Sequence, residues 1–291
     1  MNTPTNITLK NKFNYLVLKG KTHYVATIDR FKKGPLLNYC IEENAGDSFN
    51  KYFINKYFNT NIRLYTSGKR YHTLFCGSIL GKSNKYSNIL GAGFISEEQA
   101  NEPIRYNNVH GVRGNLTAES LRYYDDKLSI TFKGDPGLLV KEIIPPRGSD
   151  YKSNYKVGII PHFVDYDIVK KIIINDPRFI LIDITNTYEN VCSQILKCDV
   201  VLSSSLHGLI FSDAMNVPNS WVKFSNKVKG GTFKFRDYYS VMTNPQQNFV
   251  SCKDLEDLSY AAKIATVSEN LDYDRMYNSI TNYFSKYKNV I

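Results

Sequence analysis

The residues best suited to chemistry lie in VVLSSSLHGLIFSDAMNVP, residues 200–218. An apolar run ends in Ser203-Ser204-Ser205, and a helix is predicted to begin near Leu206-His207-Gly208. Free N–H groups at such a helix start, flanked by hydroxyls, attract an anion. His207 opens the same helix, and an imidazole that titrates near neutrality can move protons for a ligand bound there. A serine-rich turn is equally an ordinary helix cap, and a lone histidine is often structural, so spacing alone leaves both readings standing.

The next stretch, WVKFSNKVKGGTFKFRDYY at 221–239, sets several cations around Gly230-Gly231. Cations in a glycine-containing loop suit a phosphate or carboxylate. Most of these lysines read as a solvated loop, with Lys227 and Arg236 as the candidates for a ligand. Earlier in the chain, Asn44-Ala45-Gly46-Asp47 opens a predicted helix. Asp47 has the place of an N-cap, and Asn44 with Gly46 lets a ligand approach the backbone. Arg113 ends a strand and offers a planar fork to an anion, unless a salt bridge occupies it. His162 follows another strand in Ile160-Pro161-His162, where it either orients a substrate or caps the helix that follows.

Several chemistries lack their residues. Gly91-Ala92-Gly93 has Ser96 where the third glycine of a dinucleotide fingerprint belongs. A GxxxxGK[ST] phosphate loop, an HExxH helix and a GxSxG elbow are all missing. No His, Cys and carboxylate spacing reads as a metal site, so no metal and no redox cofactor are expected. The DxD pairs Asp165/Asp167 and Asp272/Asp274 fall in predicted helices and read as solvated carboxylates. The five cysteines contain no CxxC pair and read as buried free thiols in a reducing compartment.

These residues need elements to position them. The 291 residues, 42% of them hydrophobic, suffice for two compact domains. Short apolar runs alternate with amphipathic stretches, the rhythm of parallel α/β architecture. Strands are predicted at Asn14–Leu18, His23–Thr27, His72–Phe75, Asn88–Leu90 and up to Gly111–Arg113. Helices are predicted at Asp47–Phe58 and at Thr117–Tyr124, the latter capped by Asn115 or Thr117. Residues 141–155 carry two prolines and a polar run, and read as a linker between domains 1–150 and 151–291. After it come strands at 156–160, 179–183, 200–203 and 220–224, with helices at 165–175, 188–197 and 208–215. The tail from Asp254 to Lys286 is predicted to be mostly helix, packing back over the sheets. Ligands of open parallel sheets sit beyond the carboxyl ends of the strands, so the candidate residues belong to a cleft between two such domains.

The formal charge of +10 favours anionic partners in general. The lysines are scattered, which speaks against nucleic acid and leaves a peripheral membrane contact open. The N-terminus lacks a signal pattern and no apolar run is long enough to span a bilayer, so a cytoplasmic location, at most at the inner membrane face, is expected.

In order along the chain, these stretches resemble the polysaccharide pyruvyl transferase family. The resemblance rests on Asn44–Asp47, Gly77-Ser78-Ile79-Leu80, Gly91–Ile95, Val112–Thr117, Gly134–Gly137, Gly158–His162, Ser203–Gly208 and the Lys227 to Tyr239 segment. It implies a GT-B-like fold: two Rossmann-like domains, their parallel sheets facing across a cleft. It also implies phosphoenolpyruvate as donor, bound on the second domain, and a sugar acceptor, lipid-linked or in a finished chain. By similarity Arg113, His207 and Lys227 bind or activate the donor, and Leu206 contributes through its backbone. Ser205 stands where many members carry arginine, one cation fewer for the donor. The rival readings are a glycosyltransferase using a nucleotide sugar, which shares the architecture, and a non-enzymatic scaffold of polysaccharide assembly.

Overall fold

The computed structural model describes residues 9–29, 31–41, 44–148, 155–174 and 176–290. Two parallel sheets organise them. The first contains β1 (Leu36–Leu37), β2 (Arg63–Leu64), β3 (His72–Leu74), β4 (Ser87–Leu90), β5 (Asn108–Val112) and β6 (Phe132–Lys133), in the order β2-β1-β3-β4-β5-β6. The second contains β7 (Tyr155–Ile160), β8 (Phe179–Leu181), β9 (Cys198–Ser203), β10 (Asn219–Lys223) and β11 (Val250–Ser251), in the order β11-β10-β9-β7-β8. The helices are α1 (Leu9–Asp29), α2 (Ala45–Phe58), α3 (Glu97–Ala100), α4 (Asn115–Tyr124), α5 (Tyr166–Ile172), α6 (Tyr188–Ile195), α7 (Leu206–Ala214), α8 (Phe233–Tyr239), α9 (Leu255–Lys263) and α10 (Tyr273–Ser285).

This is the expected α/β architecture, and each sheet has one place where strand order reverses. In the first sheet it lies between β1 and β3, in the second between β7 and β9. Loops leaving the strands on either side of a reversal diverge and open a crevice, the usual ligand position of doubly wound sheets. Asn44 follows β1, Cys76 follows β3, His162 follows β7 and His207 follows β9.

The first turns of the chain differ from expectation. Asn14–Leu18 and His23–Thr27 both lie within α1. Short apolar runs do not separate strand from helix by periodicity. Thr22 and Thr27, which favour strands, here return their hydroxyls to the carbonyls of Leu18 and His23 at 2.8 Å and stay inside the helix. The two-residue strands β1, β2, β6 and β11 were too short to show any alternation. Part of the predicted linker, 149–154, lies outside the described residues. Arg147 within it is anchored, its N–H donating to the Met215 carbonyl at 2.9 Å.

The cap of α4 also departs from expectation. Gly114 is the N-cap and supplies no side chain. Asp237 of α8 takes that role from 120 residues away, accepting from the Thr117 N–H at 2.9 Å and its hydroxyl at 2.7 Å. A Cβ on Gly114 would lie 1.8 Å from the Asp237 carbonyl, so only glycine lets the two helices approach this closely. Asp237 also pairs with Arg113, whose Nε donates to it at 2.9 Å; both side chains are fully buried. The apolar core runs continuously from Phe49, Phe53 and Phe75 to Leu209 and Phe211. The predicted return of the tail is seen in α10, where Phe284 packs on Phe58 and Phe75 and Tyr283 bonds Thr73 at 2.7 Å.

Removing one member of a buried ion pair strands the other charge, which costs about 3–5 kcal/mol. Arg113→Ala should therefore lower stability by about that much in urea unfolding. Arg113→Ala combined with Asp237→Ala should cost clearly less than the sum of the single changes, whereas strict additivity would mean that the pair does not couple.

Candidate active site

The two strand-order reversals face each other at the start of α7. Ser205 is the N-cap of this helix and makes no side-chain cap bond. The amides of Leu206, His207 and Gly208 find no acceptor among the described residues. Ser203 holds the turn that presents them: its hydroxyl donates to the Ile160 and Ser205 carbonyls at 2.8 Å and accepts from the Ser205 N–H at 3.0 Å. Three unsatisfied amides at the positive end of a nine-residue helix form an anion-binding surface.

His207 reaches from this helix to the first sheet. Its Nε2 lies 3.5 Å from the Cys76 Sγ, and that thiol lies 3.3 Å from Asp135 Oδ1. With the thiol proton directed to Asp135, the sulfur accepts from Nε2–H, so a neutral His207 keeps its lone pair on Nδ1. Burial holds the imidazole below its ordinary pKa; Asp135 opposes this, while Lys234 and Arg113 reinforce it. The ring is thus neutral at pH 7 and able to accept a proton. Nδ1 lies over the first turn of α2, where a Cβ on Gly46 would fall 1.9 Å from it. Asn44, not Asp47, is the N-cap of α2; its side chain accepts from the Gly46 N–H at 2.9 Å. Asp47 lies in the first turn instead, and its charge is felt at Cys76 and Lys234.

Cys76, Asp135 and His207 could also hold a divalent metal, since their ligand atoms lie within 4.8 Å of one another. No pattern in the sequence announced this cluster, because its members come from three distant strand ends. Its donor set fits a metal poorly. Burial, and then the neighbouring Asp135, push the Cys76 thiol well above its ordinary pKa, which opposes the thiolate that a metal requires.

The cations fall differently from expectation. Arg113 is fully buried and committed to structure: besides Asp237 it donates to the Ser78 hydroxyl and the Phe94 carbonyl, each at 2.6 Å. Its charge still reaches His207 and Lys234. Lys227 and Arg236 are both exposed, and the Lys227 N–H donates to the Ser225 hydroxyl at 3.1 Å. Lys234, read as part of a solvated loop, is buried on α8. Seven of the ten residues of the GGTFKFRDYY segment are in fact helical, and all of these but Arg236 are buried, Lys234 among them. His162 caps the short turn that follows it, Nδ1 accepting from the Val164 N–H at 3.4 Å, and its own N–H donates to Ser204 at 2.9 Å. Burial, then Lys234, hold His162 down at about 4, so it is neutral at pH 7.

Gly46→Ala tests this packing. The added methyl collides with the His207 ring, and overpacking of this kind costs about 1–3 kcal/mol. Turnover should fall at least about tenfold while the protein stays folded; wild-type turnover in this variant would show that the imidazole is not held as described.

The comparisons with known proteins agree with this architecture. A family model described as polysaccharide pyruvyl transferase matches residues 24–226. An uncharacterized protein of Acanthamoeba polyphaga mimivirus is 32% identical over 223 residues, covering 74% of this chain and 77% of that protein. The matched span includes Asn44, Cys76, Arg113, Asp135, His162 and His207 and ends one residue before Lys227. The chain belongs to the polysaccharide pyruvyl transferase family.

Proposed function

We propose that this transferase moves pyruvate from phosphoenolpyruvate onto two hydroxyls of a polysaccharide sugar, forming a cyclic ketal and releasing phosphate. The observation that carries the reading is His207. It is a partly exposed, neutral imidazole in the first turn of a helix whose opening amides have no acceptor among the described residues. Phosphoenolpyruvate carries two anionic groups, which suit such amides and the cations around them.

In the reaction, a proton added to the donor's methylene carbon makes a methyl group and leaves an oxocarbenium-like centre at C2. One sugar hydroxyl adds there and gives up its proton. The second hydroxyl then displaces phosphate, and its proton leaves with the phosphate. His207 serves as the acid–base group for the proton transfers at the donor. The amides of Leu206 and its neighbours hold the donor's charge, and Asn44 and Asp47 border the site from α2. No helix among the described residues is long and apolar enough to cross a membrane, and a lipid-linked acceptor would be met at the membrane surface.

One feature favours a second reading, a glycosyltransferase using a nucleotide sugar. A cavity of about 170 Å³ opens beyond β9 and β10, lined by Ser204, Lys223, Thr232 and the rings of Trp221, Phe235 and Phe249. Such a wall suits a flat base or a pyranose ring.

Thermal unfolding separates the two. A donor present at one hundred times its Kd adds about 2.7 kcal/mol of stability, a rise of several degrees. Phosphoenolpyruvate should give that rise and a UDP-sugar should not; the reverse pattern would establish the second reading. His207→Ala should keep the rise but lose turnover by at least about a hundredfold, and unchanged turnover would remove His207 from catalysis.

A further inference from the structure

Among the described residues, one buried cation has no ion-pair partner. Lys234 is 8% exposed. Its Nζ makes one long hydrogen bond, to the Lys229 carbonyl at 3.5 Å, and lies 5.3 Å from the Phe235 ring centre. Among the described residues, no carboxylate oxygen lies within ion-pair distance of it. Among the described residues, the groups electrostatically coupled to it are Arg113 after β5, His162 after β7, His207 on α7 and the acidic Asp47 of α2. A lysine is costly to bury without a counter-charge. Its charge reaches His207 in the first turn of α7, a helix start whose three opening amides find no acceptor among the described residues. Two independent features, a buried ammonium without an ion pair and an unsatisfied helix start, lie within electrostatic range of each other, and both call for an anion.

We propose that Lys234 supplies the cation that Ser205 does not, and that its ammonium and the α7 amides together clamp an anionic group of the donor. This rests on the phosphoenolpyruvate reading given above and adds a residue to it. Ser205, the N-cap of α7, brings no charge of its own, so the cation comes from α8. The buried Arg113–Asp237 pair fixes α8 in the position from which Lys234 can reach.

Binding measured by calorimetry with phosphoenolpyruvate, inorganic phosphate and pyruvate tests this. Lys234→Gln should weaken phosphoenolpyruvate about 10- to 100-fold, the loss expected for one charge-assisted hydrogen bond. Phosphate and pyruvate tell which end of the donor Lys234 holds, since only the group it contacts should weaken in the variant. Ser205→Arg added to Lys234→Gln should restore most of the loss by returning the charge from α7. Equal binding by wild type and Lys234→Gln would overturn the proposal and leave the donor reading intact. Wild type that binds phosphate through Lys234 but not phosphoenolpyruvate would leave the clamp and remove the donor reading. Wild type that binds none of the three anions would overturn the clamp as well.

A second measurement needs no variant. Burial, with Arg113 adding to it, brings Lys234 down to about 8, whereas His162 at about 4 and the still-neutral His207 do not titrate above pH 7. Affinity should therefore hold up to about pH 8 and then fall towards tenfold per unit as the free ammonium loses its proton. A flat profile from pH 7 to 9.5 would exclude Lys234 from the clamp.

Discussion

The structure turns on the buried pair between Arg113 and Asp237. It joins the end of β5 to α8, two elements 124 residues apart, with both charges removed from water. Asp237 does more than neutralise the arginine. It caps α4 through Thr117, and its backbone packs against Gly114 so tightly that no side chain would fit there. A pair of this kind contributes little net stability against a well-packed apolar alternative, but its geometry permits few alternatives. What it fixes here is the orientation of α8, and with it the inward face that carries Lys234.

A second constraint follows from topology. Each sheet reverses strand order once, and the chain leaves both crevices toward the same point. Cys76 and Asp135, from the ends of β3 and β6, meet His207 from the start of α7, and Gly46 is the only residue type that lets α2 approach the ring so closely. The result is a neutral imidazole under positive charge from two sides. Burial, Arg113 and Lys234 all disfavour a second proton on His207, and Asp135 alone favours it. Such a group accepts a proton only transiently, as an acid–base residue should.

Much of this was legible in the sequence, though unevenly. The second sheet could be read almost strand by strand, because β7, β9 and β10 are strands of five or six residues with apolar segments, separated by clear helical stretches. The α7 element was visible for the same reason, as an apolar strand running through three serines into a helix, but spacing alone left its histidine between a functional and a structural role. The first sheet was harder. Its two-residue strands carry no period, and α1 contains threonines and aromatic residues that imitate a strand until their hydroxyls fold back on the helix. The cations were the least legible. Lys227, Lys234 and Arg236 lie in one stretch of similar composition; Lys227 stays exposed in the loop, and only the helical phase of α8, fixed by a partner more than a hundred residues away, buries Lys234 and leaves Arg236 exposed. Likewise Cys76 and Asp135 carry no local signal, since their relation to His207 exists only once the two crevices meet.

The central claim is that the donor's charge lies between the start of α7 and Lys234, with its reacting carbon beside His207. The most direct test is a crystal structure of the protein soaked with phosphoenolpyruvate. An anionic group of the donor should then lie within hydrogen-bond distance of the Leu206 amide and the Lys234 ammonium. Density for the donor in the cavity against Trp221 and Phe249, with α7 and Lys234 untouched, would contradict it.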